Sequence, residues 1–278
     1  MLFNKRILVV LDGGKHCINA INRARTMASK TGCELEFLWF GDPSDWHTVE
    51  EKICALDNSC QIYRQASTTQ VLDTVQQLWQ EDHFALLVKG SDPRHNSQSL
   101  LTPTDWQLLR KTPCPILLVK RQQSWSSGNI LAAINPLSSK EHQLKHDRSV
   151  LMLAAFIARQ EDASLQAVVA TESPMQLADP EFMVPELIKK RARTAADTML
   201  TDMNLTTLPL HIGEGPAEYW IAQVAGEQEA ALIVISSRAR SGIKGALLGN
   251  TAEQILDRLD TDVLVLRPGL AEQMPMYH

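Results

Sequence analysis

The stretch Leu232-Ile-Val-Ile-Ser-Ser-Arg-Ala-Arg-Ser-Gly-Ile-Lys-Gly-Ala-Leu-Leu-Gly-Asn-Thr-Ala-Glu-Gln-Ile-Leu256 decides the fold. It begins as a continuous apolar run, passes through a basic loop that contains glycine, and ends in a helical pattern that opens at Gly249-Asn250-Thr251. A buried parallel strand followed by a loop and a helix is typical of α/β folds, in which the helix N-terminus can face an anion. The stretch therefore predicts an α/β fold with an anion-binding position near residues 249–251.

The same pattern of apolar runs occurs twice along the chain. Residues 7–12, 85–89 and 115–120 match residues 130–135, 231–235 and 262–267, respectively. Nearly continuous apolar runs are expected for parallel strands that are buried on both faces. Further strands are predicted at residues 35–40, 61–64, 165–170 and 208–212.

Helical patterns alternate with these strands, which predicts right-handed βαβ units in each half. Helices are predicted at residues 18–30, 69–81 and 181–203, and a further one starts at Pro103 with Thr102 as its cap. The polar, turn-rich residues 122–128 are the predicted linker between two domains. A length of 278 residues agrees with two domains of roughly 150 residues each.

Composition and charge narrow the class of protein. The net charge of −5 disfavours nucleic acid as the main partner, because nucleic-acid-binding domains are usually basic. No apolar run is long enough to span a bilayer, and the N-terminus has no signal-peptide pattern. The five cysteines are scattered and form no Cys-x-x-Cys pair, so we expect a reduced, cytoplasmic protein.

The loop spacing in the opening stretch strongly resembles the signature loop of the universal stress protein family. In nucleotide-binding members that loop runs Gly, two residues, Gly, nine residues, Gly, then Ser or Thr. Here the same spacing gives Ser236, Ala239, Gly249 and Asn250, so the first two glycines are replaced. Residues 102–111 and 247–254 are similar to the tandem, E-type members of the family.

This resemblance implies an α/β fold with two tandem, doubly wound, five-stranded parallel sheets of strand order 3-2-1-4-5, like the adenine nucleotide alpha hydrolases. The implied domains are residues 1–122, with a degenerate loop, and 128–278, with the signature-like loop. A ligand crevice is expected between strands 1 and 4 of each sheet, at the topological switch point. The final strands, 115–120 and 262–267, are the candidates for contact in a pseudo-dimer, and the whole chain could form a homodimer.

The second domain is the better candidate for nucleotide binding, with ATP as the ligand to test. Asn135 stands where binding members have Asp, and Ser236 and Ala239 restrict the backbone path that glycine allows. Arg238 and Arg240 add cations that suit phosphate. Asn250 either only caps the helix, with Glu253 completing a capping box, or also helps to bind an anion. The predicted nucleotide-binding residues are Asn135, Ala170, Ile235, Ser236, Arg238, Ala239, Arg240, Gly249, Asn250 and Thr251.

The first domain is expected to hold no nucleotide. It keeps Asp12 at the end of strand 1, where a turn or cap role is expected, but its loop spacing gives Gly90, Pro93, Pro103 and Thr104. Pro103 has no N–H to offer a phosphate. Cys17 and Cys114 are expected to pack as small apolar side chains.

No catalytic residue or metal site is predicted. His142 and His146 share a helix face but have no third ligand. The His211-Ile-Gly-Glu214 segment is interpreted as a strand end. Three functions remain open: a non-enzymatic stress-response protein with a nucleotide site in its second domain, an interaction module with nucleotide-free pockets, and, less favoured, a weak ATPase.

Overall fold

The computed structural model describes residues 6–14, 16–55, 61–64, 68–81, 83–91, 101–171, 185–237 and 250–267, with the side chains of 61–64, 68 and 250–252 left out. The described residues divide into two compact units. The first unit contains residues up to 122 together with 260–267, and the second contains residues 123–237 and 250–259. The strand that ends the second repeat therefore falls in the first unit.

The first unit is built on a parallel sheet with helices between its strands. Its strand order, β3-β2-β1-β4-β5, is the predicted 3-2-1-4-5 order. The strands are β1 (Arg6–Leu11), β2 (Glu34–Trp39), β3 (Gln61–Arg64), β4 (Leu86–Gly90) and β5 (Ile116–Val119). The helices are α1 (Cys17–Thr31), α2 (Trp46–Cys54), α3 (Val71–Glu81) and α4 (Pro103–Lys111).

The second unit repeats the arrangement with the strand order β8-β7-β6-β9, and all three pairings are parallel. Its strands are β6 (Asn129–Ala133), β7 (Ser164–Thr171), β8 (Leu210–Glu214) and β9 (Ala230–Ser236). Its helices are α5 (Glu141–Glu161), α6 (Pro185–Asp202), α7 (Ala217–Glu227) and α8 (Asn250–Arg258).

The last strand, β10 (Asp262–Leu266), pairs antiparallel with β5, so the two final strands of the repeats meet as predicted. Asp262 secures this pairing with a carboxylate that is only 1% exposed. It accepts the backbone N–H groups of Lys120 and Arg121 at 2.8 and 3.1 Å and pairs with Arg23 of α1 at 3.3 Å. A buried carboxylate needs such partners to offset its desolvation.

The central strands are apolar and buried. The whole of β4 and β10 is buried, as are the last five residues of β1. Helix α4 starts as predicted, with Thr102 as its cap and Pro103 in its first turn, and Asp105 completes a capping box. In a parallel sheet the carboxyl ends of the strands lie at the same edge, and each crevice is expected at that edge.

One difference between the repeats lies between their first strand and its helix. Arg6 pairs with Glu34, 28 residues later, whereas Asn129 pairs with Ser164, 35 residues later. Helix α5 has 21 residues and α1 has 15, and each ends two residues before the partner strand at a left-handed residue, Gly32 or Asp162. Most of the seven added residues therefore extend the N-terminal end of α5.

Some elements depart from their prediction. Helix α2 was not predicted, and β8 begins at Leu210 rather than at residue 208. The predicted linker is not wholly polar surface, because its Trp125 is fully buried and its carbonyl accepts the N–H of Gly128 at 3.0 Å. Among the described residues, none of the helices is both long and apolar enough to cross a membrane.

Candidate functional site

The first crevice, between the ends of β1 and β4, contains a buried lysine. The Lys89 ammonium, on a side chain that is 2% exposed, lies 2.6 Å from Asp12 Oδ2 and 2.9 Å from Asp105 Oδ1. Asp12 ends β1 and Asp105 lies in the first turn of α4, so one cation joins a strand end to a helix start. The two carboxylates and the ammonium form a charge cluster made entirely by the protein.

The charges in this cluster stabilise one another. Burial alone would raise the pKa of Asp12, but Lys89 and hydrogen bonds from Gly14 and Cys17 hold that pKa below its ordinary value. Burial alone would lower the pKa of Lys89, but Asp105 and Asp12 raise it above its ordinary value. Both groups are therefore charged at neutral pH.

Backbone packing closes the same crevice further. A Cβ atom at Gly90, the last residue of β4, would lie 2.3 Å from the carbonyl oxygen of His16. Gly90 thus lets the start of α1 pass directly over β4. At the end of β2, a Cβ atom at Gly41 would lie 2.6 Å from the Trp39 ring, which also lies near Gly13. Around the first crevice the chain therefore packs closely against itself.

Cys17 is buried as predicted, and its thiol also makes a polar contact. Its Sγ donates to Asp12 Oδ1 at 3.3 Å, and burial together with the Asp12 carboxylate raises the pKa of this thiol to about 12. Asp12 likewise does more than form a turn. It accepts the Gly14 N–H at 3.0 Å, as a turn residue does, but it is also the counter-ion of Lys89. Cys114 is buried as predicted, and its thiol donates to the Pro115 carbonyl.

The second crevice, between the ends of β6 and β9, is bridged by hydrogen bonds from an amide side chain. Gln143 Nε2, on the added part of α5, donates to Asp147 Oδ1 at 3.0 Å and to Ser236 Oγ at 3.3 Å. Asp147 Oδ2 accepts the backbone N–H of Asn135 at 3.1 Å. A continuous chain of contacts therefore runs from Asn135, beyond β6, to Ser236, at the end of β9.

The two crevices carry their carboxylate on different elements. Cys17 and Asp147 each lie fifteen residues before the left-handed residue that ends their helix, so they occupy equivalent positions. The first repeat combines a strand-end carboxylate, Asp12, with a helix thiol. The second combines a strand-end amide, Asn135, with a helix carboxylate. Asn135 has no carboxylate, but its backbone N–H donates to the carboxylate of Asp147.

The structure describes the side chains of four of the predicted nucleotide-binding residues. It links Asn135 and Ser236 through Asp147 and Gln143, and it places Ala170 half-buried in β7 and Ile235 buried in β9. Helix α8 begins at Asn250, followed by Thr251. Arg238, Ala239, Arg240 and Gly249 lie outside the described residues, as do the side chains of Asn250 and Thr251.

Three residues that the sequence interpretation did not assign to a site lie in the crevices: Lys89, Gln143 and Asp147. Lys89 did carry a signal, because it is a lysine inside an apolar run at the position where the second repeat has Ile235. Gln143 and Asp147 are an i, i+4 pair on α5, a spacing that places them on one helix face. Their approach to β9 depends on the tertiary packing and has no sequence signal.

The other candidate signals form no site. His142 and His146 lie on α5 with ring centroids 6.1 Å apart, and no cluster of three or more metal-binding side chains occurs in the part of the chain that the structure describes. His211 lies within β8, where its Nε2 is 2.6 Å from Gln166 Oε1. The segment that contains His211 is therefore a strand, as predicted.

Comparisons with known proteins agree with this architecture. A model of the universal stress protein family matches residues 139–267. Universal stress protein E of Escherichia coli K12 is 32% identical over 177 residues, which is 61% of this chain. The corresponding protein of Photorhabdus laumondii is 32% identical over 194 residues, which is 66% of this chain. The matches cover 56% and 61% of these relatives' own lengths.

Solved structures show the same fold over nearly the whole chain. A protein of unknown function from Pseudomonas aeruginosa PAO1 has a TM-score of 0.76 at 29% identity and covers 97% of each chain. A universal stress protein from Archaeoglobus fulgidus has a TM-score of 0.65 at 14% identity, covering 95% of this chain and 98% of its own, which shows the fold alone. The repeated sheet, the loop spacing, the family match and the curated relatives all agree: residues 139–267 match the universal stress protein family, and the chain resembles the E-type members of that family.

Proposed function

We propose that this chain is a non-enzymatic stress-response protein of the cytoplasm that binds an adenine nucleotide, with ATP as the first candidate, in its second crevice only. The two domains of this proposal are the sequence repeats, residues 1–122 and 128–278, of which β10 falls in the first compact unit. The observation that carries the choice of crevice is the difference between Lys89 and Ile235. The buried ammonium of Lys89 holds together the first crevice, whereas an apolar side chain takes the equivalent place in the second.

The charges of the first crevice argue against a nucleotide there. A ligand between β1 and β4 would have to separate Lys89 from Asp12, and removing one partner of a buried ion pair is strongly unfavourable. The polar groups of the second crevice differ from those of the first. Its described polar groups are an amide, a hydroxyl and a carboxylate that already accepts hydrogen bonds, and these suit the hydroxyl and amino donors of a nucleoside.

Phosphate groups would then lie over the start of α8. The first N–H groups of a helix are free donors and carry the positive end of its dipole, and Arg238 and Arg240 precede them in the chain. The first repeat offers no equivalent, because Pro103 begins α4 without an N–H. Binding in this geometry requires no general base or metal.

The alternative is an interaction module whose crevices hold no nucleotide and which acts through its surfaces and a homodimer. The observation that favours it is Gln143, which spans the second crevice between Asp147 and Ser236. The two functions differ in one measurable property, the presence of a bound small molecule.

Isothermal titration of the purified chain with ATP tests the proposal. We expect saturable binding with one site per chain, and mass spectrometry of the supernatant after denaturation should show any ligand that was carried through purification. Gly249→Pro should abolish the binding, because it removes an N–H at the start of α8. The matched change Pro103→Gly, which restores an N–H in the first repeat, should create no second site. Absence of binding in the wild-type chain would favour the interaction module.

A further inference from the structure

The residues added to the second repeat place one side chain across its crevice. Gln143 lies in the first turn of α5, within the extension that α1 lacks, and it is only 5% exposed. Its two Nε2 hydrogens are both used, one by Asp147 Oδ1 and one by Ser236 Oγ. Strands β6 and β9 are parallel neighbours, so these contacts cross the switch point of the sheet.

From this geometry we infer that Gln143 is a latch that closes the second crevice and is displaced when ligand binds. The inference rests on the proposed nucleotide site and adds its regulation. A ligand group that reaches the ends of β6 and β9 meets Asp147 and Ser236, the acceptors that Gln143 now satisfies. It binds only in the fraction of molecules in which the Gln143 amide has left them.

The physical basis is competition between an internal and an external donor. Each amide hydrogen bond contributes on the order of 1 kcal/mol net, so two such bonds hold the open form to a minor population. The apparent affinity of a ligand is lowered by the same fraction, because only the open form is competent to bind. Removing the latch therefore strengthens binding without adding any contact to the ligand.

The contacts also define which ligand chemistry opens the latch. Asp147 is 1% exposed, and its Oδ2 already accepts the Asn135 N–H. When the amide of Gln143 leaves, Asp147 Oδ1 loses a hydrogen bond, and a ligand that donates at that point replaces it. The ligand must bring hydroxyl or amino hydrogens to that point, as a ribose diol or an exocyclic amine does.

Isothermal titration with ATP of the full-length wild-type chain and its Gln143→Ala variant tests the latch. We expect Gln143→Ala to bind ATP about 30-fold more tightly, in line with the loss of two competing hydrogen bonds. Gln143→Met keeps the volume and packing of the side chain but cannot donate, so it should also bind more tightly than wild type. Gln160→Ala, a matched change near the other end of α5, should bind like wild type.

The outcomes separate the latch from the nucleotide site. If wild type binds ATP and both Gln143 variants bind it equally or more weakly, the latch is wrong and the nucleotide site stands. If neither wild type nor variant binds ATP, both proposals fail. Circular dichroism and thermal unfolding show whether Gln143→Ala still folds, and Gln143→Met provides the result if it does not.

Discussion

At the scale of single residues, the first crevice depends on the Lys89 charge. A buried ammonium is tolerated because two carboxylates face it, one from β1 and one from α4. The second repeat has the apolar Ile235 at the position of Lys89. An apolar residue there is tolerated only if the two carboxylates are also absent. The second repeat meets that condition at the strand end, where Asn135 replaces Asp12.

Lys89→Met should therefore destabilise the protein by about 3–5 kcal/mol at pH 7, the usual cost of leaving a buried charge without its partner. The triple variant Asp12→Asn/Lys89→Met/Asp105→Asn removes every charge of the cluster and should recover most of that loss. Urea unfolding measures both. A triple variant less stable than Lys89→Met would contradict the interpretation that unpaired charge is the cause.

The same cluster predicts how stability depends on pH. The pKa of Asp12 is lowered in the folded protein, so its contribution is complete above the unfolded pKa of about 3.9 and is lost as pH falls through the folded value. The pKa of Lys89 is raised, so its contribution is present below about 10.4 and is lost as pH rises through the folded value.

Urea unfolding between about pH 2.5 and pH 7 should show a smaller acid loss of stability in Asp12→Asn than in wild type, because that variant lacks the titrating group. Asp73→Asn, at an exposed position in the first turn of α3, is the control and should follow wild type. Parallel acid profiles for Asp12→Asn and wild type would show that Asp12 makes no net contribution.

At the scale of elements, close packing requires glycine at the end of β4. The start of α1 crosses Gly90 so closely that the His16 carbonyl carbon would lie 2.6 Å from an added Cβ. Gly90→Ala should destabilise the protein by about 1–3 kcal/mol, as overpacking against backbone does. Gly226→Ala, in helix α7 with no atom within 4 Å of the added Cβ, should instead stabilise it by about 0.5–1 kcal/mol.

Thermal unfolding measures whether Gly90→Ala is less stable than wild type and whether Gly226→Ala is more stable. A neutral Gly90→Ala would mean that α1 can move away from β4, and the first crevice would then be less closed than its geometry indicates.

The elements also show what the sequence could reveal. Apolar runs such as 85–89 and 115–120 predict buried strands because burial on both faces leaves no polar alternation, and Thr102-Pro103 predicts the start of α4 from local capping chemistry. The contents of the crevices could not be predicted in the same way. Contacts such as Gln143 to Ser236 join residues 93 positions apart, and they form only when α5 packs on the sheet.

At the scale of the whole molecule, the final strand of the second repeat completes the first unit. Strand β10 pairs with β5, and the buried Asp262 holds the backbone after β5 and the guanidinium of Arg23. The stability of the first unit is therefore tied to the far end of the chain. Residues 1–122 alone would leave the edge of β5 and the Arg23 charge uncovered.

Asp262→Ala should accordingly destabilise the first unit by about 3–5 kcal/mol, because the buried Arg23 loses the carboxylate that pairs with it. Asp262→Asn should cost less, since its side-chain oxygen can still accept the N–H groups of Lys120 and Arg121. Hydrogen exchange with mass spectrometry gives the location of the effect: peptides from α1 and β5 should lose protection in Asp262→Ala, while peptides from α5 and β7 should keep theirs. Equal loss of protection in α5 and β7 would show that Asp262 stabilises the chain as a whole, and unchanged protection in α1 would show that the Arg23 ion pair contributes nothing.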